Sequence, residues 1–278
     1  MDSGSFVLAI DIGNTRAKFG LFQTQPLGRV IPVDISATVL GETDNLAGEL
    51  EAWWKRLNCV VPARTMIAGS QPETRDELLR QWPLKDCVPV MITGCQQIPV
   101  VADVDYPERV GVDRLLNVFA ASRVVAKTQS AIVVDSGTAT TVDLMTADRV
   151  FRGGSILPGL RLSAHAMHDY TARLPLLNVD QDQCELPEVP GRNTEAAMRA
   201  GLFIGQLGAV RELITRLTAA ASQRYQERRQ PQVLVTGGGG RQLANHLPGA
   251  WYIDSLPLHG LAMLPDGISN DRPNHRTG

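Results

Sequence analysis

The chain has 278 residues, of which 44% are hydrophobic and 20% charged, and its formal net charge at pH 7 is −2. This composition is typical of a globular protein, and the length suits two domains of roughly 100–150 residues each. The near-neutral charge gives no electrostatic reason to expect nucleic acid or an anionic membrane as a partner. The four cysteines contain no CxxC pair, and the first apolar run ends at Asp11 with no basic segment before it. We therefore expect free thiols, no signal peptide, no membrane span and a cytoplasmic location.

The first half of the chain opens with two predicted strands around a polar turn. Apolar runs at Phe6–Ile10 and Ala17–Phe22 flank the sequence DIGNT, a pattern typical of a β-hairpin. The other elements predicted in this half are a helix over 46–57, a strand over 65–68, a helix over 73–82, a strand over 88–92 and a helix over 114–125.

The same opening recurs after residue 130. Strands predicted over Ala131–Val134 and Thr141–Met145 flank the sequence DSGTATT. Next come a loop (RGGSILPG), a helix over 160–170, a polar connector over 180–190, and a long helix or kinked pair over 194–225 in which Gly201, Gly205 and Gly208 favour close helix packing. A strand over 232–235 then leads into TGGGGR, and a strand and helix follow between 251 and 264.

This recurrence indicates an internal duplication of an α/β unit. We place an N-terminal domain at 1–127, a C-terminal domain at 128–265 and a polar tail at 266–278. Two halves with matching openings favour a ligand held between two equivalent loops.

The first turn has residue types suited to a phosphate group. Asp11 lies at a strand end, Gly13 lets the backbone approach an anion closely, Asn14 and Thr15 offer hydrogen bonds, and Lys18 can neutralise phosphate charge. The alternative is a plain polar turn, because Asp, Gly and Asn are common turn residues.

The second turn repeats this chemistry. Asp135 can hold a metal ion or its water, Gly137 permits close approach, and Thr138 can contact a phosphate. Two such hairpins, one from each half, resemble the phosphate clamp of actin, hexokinase and their relatives.

The segment between the hairpins, YPERVGVDRLLN, supplies candidates for the reaction itself. Asp113 precedes a predicted amphipathic helix, so it is either a helix N-cap or a general base. Arg114 would oppose the helix dipole there, which favours a role in seating a substrate carboxylate.

Three further motifs have weaker signals. The Gly-rich segment RGGSILPGL either offers backbone N–H groups to an anion or is a plain connector. TGGGGR matches neither common nucleotide motif and is expected to lie flat beside the nucleotide base. His165 and His168 have helical spacing but no third ligand motif, which makes a metal pair the minor interpretation.

Taken together, these segments resemble the type III pantothenate kinases, a family also described as Bvg accessory factor proteins. The resemblance covers nearly the whole chain, and the order and spacing of its motifs are specific. They are DIGNT with Lys18, Tyr106 with GVDR, DSGTATTVD, GGSILPGL, TARLPLL, GRNTEAAMRAG, VTGGGG and LPLHGLAML.

The resemblance implies the duplicated actin/hexokinase-like fold, a homodimer, and ATP-dependent phosphorylation of pantothenate in coenzyme A synthesis. It also implies roles for individual residues: Asp113 as proton acceptor and Asp135 as ligand of potassium or ammonium, with Mg²⁺ accompanying ATP. The positions implied for ATP are Asp11, Ile12, Gly13, Asn14, Thr15, Arg16, Ala17, Lys18 and Thr138. The positions implied for pantothenate are Tyr106, Gly111, Val112, Asp113, Arg114 and Thr194.

Two other functions stay open at the level of sequence. One is a kinase of another small hydroxy-acid or sugar on the same fold. The other is a catalytically silent regulator that retains the nucleotide clamp.

Overall fold

The computed structural model describes residues 5–43, 45–58, 61–179 and 185–268. Cys59, Cys184, part of the predicted connector and nearly all of the predicted tail lie outside these ranges. Cys87 and Cys95 are free thiols. No helix within the described ranges has the length and apolar character needed to cross a membrane.

The elements follow the chain in an order that repeats. The first part contains β1 (Phe6–Ile12), β2 (Arg16–Gln25), β3 (Arg29–Val39), α1 (Leu46–Leu57), β4 (Arg64–Gly69), α2 (Pro72–Arg80), β5 (Pro89–Ile92), β6 (Val101–Ala102) and α3 (Val112–Val124). The second contains β7 (Ala131–Ser136), β8 (Ala139–Met145), β9 (Val150–Pro158), α4 (Leu160–Asp169), α5 (Thr194–Tyr225), β10 (Gln232–Thr236), α6 (Gly240–Ala244), β11 (Trp251–Tyr252) and α7 (Leu256–Ala262).

The described residues cluster into two compact units. Unit 1 comprises those within Met1–Pro99, Glu108–Ala120 and Pro257–Gly278, and unit 2 those within Val100–Pro107 and Ala121–Leu256. The residues after Leu256 thus group with unit 1, whereas the sequence analysis placed 257–265 in the C-terminal domain. Their side chains explain this grouping, because Phe22 of β2 contacts the ring of His259 edge-on, with 5.0 Å between the ring centroids.

The two sheets have the same strand order, which confirms the predicted duplication. Unit 1 has the order β3-β2-β1-β4-β5, and unit 2 has β11-β10-β7-β8-β9-β6. In the reverse direction from β9, the second sheet has the order β9-β8-β7-β10-β11, which matches β3-β2-β1-β4-β5 of the first sheet. Strand β6 is added at the edge beside β9. In both sheets the first three strands of the unit pair antiparallel and the last two add in parallel.

Strand alternation directs apolar side chains to a buried face in each unit. In unit 1, Leu8 and Ile10 of β1 pack in one cluster with Leu50 and Trp53 of α1. Trp53 is 3% exposed and donates its indole N–H to Asp34 Oδ2 at 2.7 Å. In unit 2, strands β7, β8 and β10 pack against α5; the cluster includes Val134, Val142, Phe203, Leu207 and Val235.

The segment RGGSILPG is a strand, so its prediction as a loop was wrong. It forms most of β9, which pairs antiparallel with β8. Its two adjacent glycines and its proline suggested a loop, yet tertiary pairing overrides local propensity in strands. Gly154 has a specific reason to lack a side chain, because a Cβ there would lie 2.2 Å from the carbonyl oxygen of Val142.

Edge strand β3 was not predicted at all. Ile31 and Val33 are exposed and Pro32 interrupts the apolar pattern, so 29–39 shows no clean alternation. Pairing with β2 along ten residue pairs makes it a strand. Proline is tolerated at a sheet edge, where its missing N–H costs no ladder bond.

The long helix α5 is continuous over 32 residues and begins and ends where predicted. Asn193 caps it by accepting the Ala196 N–H at 2.8 Å. The expected close packing at Gly201, Gly205 and Gly208 was wrong for the part of the chain described, because a Cβ at each would meet nothing within 4 Å. All three lie on its exposed side.

Candidate active site

The β1–β2 turn in unit 1 is held by backbone hydrogen bonds on several sides. Gly13 N–H donates to the carbonyl of Arg16 at 2.9 Å, and Leu40 N–H donates to that of Thr15 at 2.9 Å. Ser70 N–H donates to the carbonyl of Ile12 at 3.0 Å, which ties the turn to the end of β4. The turn is therefore pre-shaped by its neighbours, and the exposed Asn14 side chain faces solvent.

Asp11 and Lys18 face each other across this hairpin. They are cross-strand partners in β1 and β2, and both are half-buried. Directly paired residues of antiparallel strands project to the same face, with Cβ atoms about 5 Å apart. Leu8, Ile10 and Ile12 project to the opposite, core face. The hairpin therefore presents one carboxylate and one ammonium group together, away from the core.

Helix α3 brings Asp113 and Arg114 to its first turn. Leu115 N–H donates to the carbonyl of Gly111 at 3.2 Å, so the helix begins two residues before the predicted start. Asp113 is consequently inside the first turn, and the N-cap interpretation of this residue was wrong. Its Oδ1 accepts the Arg114 N–H at 2.9 Å. A Cβ on Gly111 would lie 2.4 Å from that oxygen, so the glycine leaves room for the carboxylate.

Within unit 1, α7 lies on the same sheet face as Asp11 and Lys18. A Cβ on Gly20, two residues along β2 from Lys18, would lie 3.0 Å from Leu258 of α7. The other side of α7 contacts α3, because a Cβ on Gly260 would lie 2.4 Å from the carbonyl oxygen of Leu116. The two helices are thus stacked over the face that carries the Asp11–Lys18 pair.

The β7–β8 turn in unit 2 is enclosed by glycines. Gly137 N–H donates to the carbonyl of Ala139 at 3.0 Å, and Gly159 N–H donates to that of Thr138 at 3.0 Å. A Cβ on Gly159 would lie 2.2 Å from the carbonyl oxygen of Gly137. The final glycine of RGGSILPG therefore lets the start of α4 press against the predicted phosphate turn.

The TGGGG segment lies against the Asp135 end of the same turn. Gly237 has φ +88°, and a Cβ there would lie 2.5 Å from Asp135 Oδ1. Gly239 N–H donates to the carbonyl of Ser136 at 2.9 Å. These glycines allow the backbone of the TGGGG segment to approach Asp135. The expected position of this segment beside a nucleotide base stays a prediction.

Three side chains with oxygen atoms share the face of β7 and β8 that points away from α5. Asp135 pairs with Thr141, and Asp143 follows Thr141 by two residues. Asp143 is 1% exposed, and its Oδ1 occupies the space above Gly154 that a Cβ would fill. Thr141 is 8% exposed, and its hydroxyl has no hydrogen-bond partner among the described residues. The sequence analysis assigned neither Thr141 nor Asp143 a role, although the two-residue alternation from Asp135 places them on its face.

Two further predicted substrate residues lie in unit 2. Tyr106 is 60% exposed and precedes a short 3₁₀ turn, Pro107–Arg109. Thr194 is the exposed first residue of α5. The preceding GRN sequence shapes the start of this helix. Asn193 caps the helix, and a Cβ on Gly191 would lie 2.3 Å from the backbone nitrogen of Ala197. Of the predicted residues, unit 1 therefore carries 11–18 and 111–114, and unit 2 carries Tyr106, Asp135, Thr138 and Thr194.

Arg241 and Tyr252 form a stacked pair beside the TGGGG segment. The guanidinium carbon of Arg241 lies 4.8 Å from the centroid of the Tyr252 ring. Burial, and secondarily the charge of Asp254, raises the pKa of Tyr252 above its ordinary value of 10.0. Tyr252 is therefore a neutral, partly buried ring at physiological pH.

The carboxylates at the two turns fit hard cations that accompany phosphate. Mg²⁺ is usually held by one or two carboxylates plus phosphate oxygens and water, so the aspartate of either turn has suitable chemistry. Within the described ranges, no group of three or more His, Cys, Asp or Glu side chains could hold a metal alone. His168 Nδ1 lies 2.9 Å from the carbonyl oxygen of Leu174, and the interpretation of His165 and His168 as a metal pair stays a minor prediction.

The sequence comparisons with known proteins agree on one family. A sequence profile described as type III pantothenate kinase matches residues 7–216. The chain is 33% identical over 267 residues to a type III pantothenate kinase from Gluconobacter oxydans, covering 94% of this chain and 93% of that protein. It is 42% identical over 163 residues to one from Rhodopirellula baltica, where the match covers 58% of this chain and 55% of that protein.

Solved structures share the fold at low sequence identity. A candidate Baf-family transcriptional activator from Campylobacter jejuni superposes with a TM-score of 0.53 at 20% identity, over 92% of this chain and 96% of the other. A candidate 2-dehydro-3-deoxygalactonokinase from Sinorhizobium meliloti gives 0.52 at 14% identity, also over 92% and 96%. The expected duplicated α/β fold, that of the actin/hexokinase-like kinases, is thereby confirmed.

Proposed function

Because the chain belongs to the type III pantothenate kinase family, we propose that it transfers the γ-phosphoryl group of ATP to pantothenate. The product is 4′-phosphopantothenate, and the reaction opens coenzyme A synthesis. The observation that carries this proposal is the family match over 7–216, a span that includes both aspartate hairpins and the GVDR segment.

The two hairpins are proposed to bind the phosphates of ATP. The family implies ATP and a divalent metal, and Mg²⁺ is the metal we propose. Asp11 and Asp135 would hold it largely through water, and it would neutralise charge on the transferred group. Gly13 and Gly137 keep side chains away from the backbone that approaches the phosphates. Lys18 adds a fixed positive charge. The remaining nucleotide positions proposed are Ile12, Asn14, Thr15, Arg16, Ala17 and Thr138.

Asp113 is proposed to accept the proton of the pantothenate hydroxyl that attacks the phosphorus. Its carboxylate is exposed, so a substrate can reach it. Its orientation is restricted because Oδ1 accepts the Arg114 N–H. A carboxylate positioned in this way contributes about 10²–10⁴-fold to a rate.

Arg114 is proposed to bind the pantothenate carboxylate through its planar guanidinium fork. Tyr106, Gly111, Val112 and Thr194 complete the proposed pantothenate site. Arg114 is half-buried at the start of α3, so part of its charge is shielded from water and interacts more strongly with an anion.

Further parts of the proposal follow from the family resemblance. Asp135 would bind potassium or ammonium, and the protein would act as a homodimer in the cytoplasm. The half-buried position of Asp135, enclosed by glycines, supports a role for it in binding a small cation.

The experiment is an assay of phosphopantothenate formation from ATP and pantothenate, with the wild type and Asp113→Asn side by side. Asparagine can accept the Arg114 N–H as aspartate does, so the helix start and the fold should survive. Turnover should fall about 10²–10⁴-fold while nucleotide binding is retained. Wild-type turnover in the asparagine variant would remove Asp113 from the mechanism. Absence of product with pantothenate, but turnover of another hydroxy-acid or sugar, would replace the proposed substrate.

A further inference from the structure

The Thr141 hydroxyl is an unexplained buried polar group in unit 2. Its Oγ1 is buried and has no hydrogen-bond partner among the described residues. An unsatisfied buried hydroxyl costs a folded protein stability, and valine would fill the same space without that cost. A group kept at such a cost calls for a physical reason, such as a bound ion or water.

The duplication shows what the equivalent position does in unit 1. Register pairs Asp11 with Lys18 across the first hairpin and Asp135 with Thr141 across the second. Thr141 therefore occupies the position that Lys18 has in the other unit. In unit 1 the chain itself places an ammonium group opposite the strand-end aspartate. In unit 2 the same position offers a hydroxyl oxygen.

We propose that Thr141 Oγ1 and the Asp135 carboxylate together ligate one monovalent cation, which takes the place that the Lys18 ammonium has in unit 1. This deepens the proposed function and rests on the cation dependence proposed there. Thr141 is the residue newly assigned to the site. Its oxygen supplies a neutral hard ligand beside the charged one.

The surroundings favour a small cation over an anion or an apolar group. Asp135 and Asp143 place two carboxyl groups on the same face as Thr141, so an anion would meet like charge. Direct cross-strand pairs bring Cβ atoms to about 5 Å, close enough for the two side chains to share an ion. Asp135 is only half-buried, so an ion can reach it from solvent.

The test measures cation binding through thermal stability, which does not depend on activity. Melting temperatures of the full-length protein are recorded against potassium concentration at constant ionic strength, with tetramethylammonium as the balancing ion. The series is run without nucleotide and again with a non-hydrolysable ATP analogue. The variants are Thr141→Val, which removes the hydroxyl, and Thr141→Ser, which keeps it. Thr141→Ala replaces the valine variant if the latter does not fold.

A matched control lies one residue away on the other face of β8. Thr140 Oγ1 accepts the Gln206 amide at 2.8 Å, so its hydroxyl is already used within the protein. Thr140→Val should lower the melting temperature in tetramethylammonium and leave the potassium response intact. Thr141→Val should show the reverse pattern, with unchanged or higher stability in tetramethylammonium.

In the wild type and Thr141→Ser, potassium should raise the melting temperature. In Thr141→Val, the potassium concentration above which the melting temperature begins to rise should be about tenfold higher or more than in the wild type, as expected for loss of one good ligand contact. An unchanged onset concentration in Thr141→Val, or a wild type with no potassium shift in either series, would overturn the inference. Phosphopantothenate formation by the wild type is scored separately, so failure of the kinase proposal is distinguishable from failure of the Thr141 assignment.

Discussion

Replacement of Gly237 by alanine should damage the Asp135 site through two separable effects. Gly237 has φ +88°, a conformation that an L-residue adopts at a cost of about 1–2 kcal/mol. The added Cβ would also lie 2.5 Å from both Asp135 Oδ1 and the carbonyl oxygen of Ser136. Relief of such overpacking costs a further ~1–3 kcal/mol. We expect Gly237→Ala to lower the free energy of unfolding by about 2–5 kcal/mol in total.

Gly249 is the matched control, because it isolates the backbone effect. It has φ +74°, and a Cβ there would meet nothing within 4 Å. Both glycines belong to unit 2, so the same unfolding transition reports on both. Gly249→Ala should cost only about 1–2 kcal/mol. The gain from restricting the unfolded chain is common to both variants and cancels in their difference.

The assay is urea unfolding of the wild type and both variants. Their free energies of unfolding are compared when the slope of this free energy against urea concentration is the same for all three. Gly237→Ala should be less stable than Gly249→Ala by about 1–3 kcal/mol. The potassium response should be weakened in Gly237→Ala alone, because the methyl group displaces the Asp135 carboxylate. Equal losses of stability in the two variants, with equal potassium responses, would refute the close approach of the TGGGG segment to Asp135.

The remaining predictions concern substrate recognition, a half-buried arginine and pH. Arg114→Ala should weaken pantothenate binding by about 2–5 kcal/mol and abolish the preference for pantothenate over its amide. Arg114→Lys should recover only part of the lost binding. An unchanged preference for pantothenate over its amide in Arg114→Ala would contradict this. Arg152 is 16% exposed and forms salt bridges with Asp103 and Asp148. Arg152→Met should lower the free energy of unfolding in urea by about 1–3 kcal/mol. An unchanged free energy of unfolding would show that these salt bridges are not stabilising. The raised pKa of Tyr252 means that its contribution to stability is complete below pH 10 and is lost as pH rises through the folded-state pKa. Tyr252→Phe should therefore flatten the fall of the melting temperature at alkaline pH. An unaltered dependence of the melting temperature on pH would contradict this role of Tyr252.

Much of the fold and of the candidate site could be read from local patterns. Apolar runs interrupted by DIGNT and DSGTATT predict two hairpins, because strand alternation and turn chemistry act over a few neighbouring residues. The boundaries of α5 were also predicted, and the structure shows a local reason for its start, since Asn193 caps it by accepting an N–H only three residues ahead. The order of the motifs was sufficient to indicate the family that the comparisons confirm.

Tertiary structure decided the features that depend on residues distant in sequence. RGGSILPG becomes β9 only because β8 pairs with it, and no local signal in its glycines indicates that partner. The grouping of the segment after Leu256 with unit 1 likewise depends on contacts such as Phe22 with His259.

The Thr141 position shows this division most clearly. The sequence by itself determined that a threonine follows the second aspartate turn. Only the register of β7 against β8 places it opposite Asp135, and only the packing around it leaves its hydroxyl without a hydrogen-bond partner among the described residues. Burial and hydrogen bonding depend on every element that surrounds a side chain, so a local pattern cannot specify them.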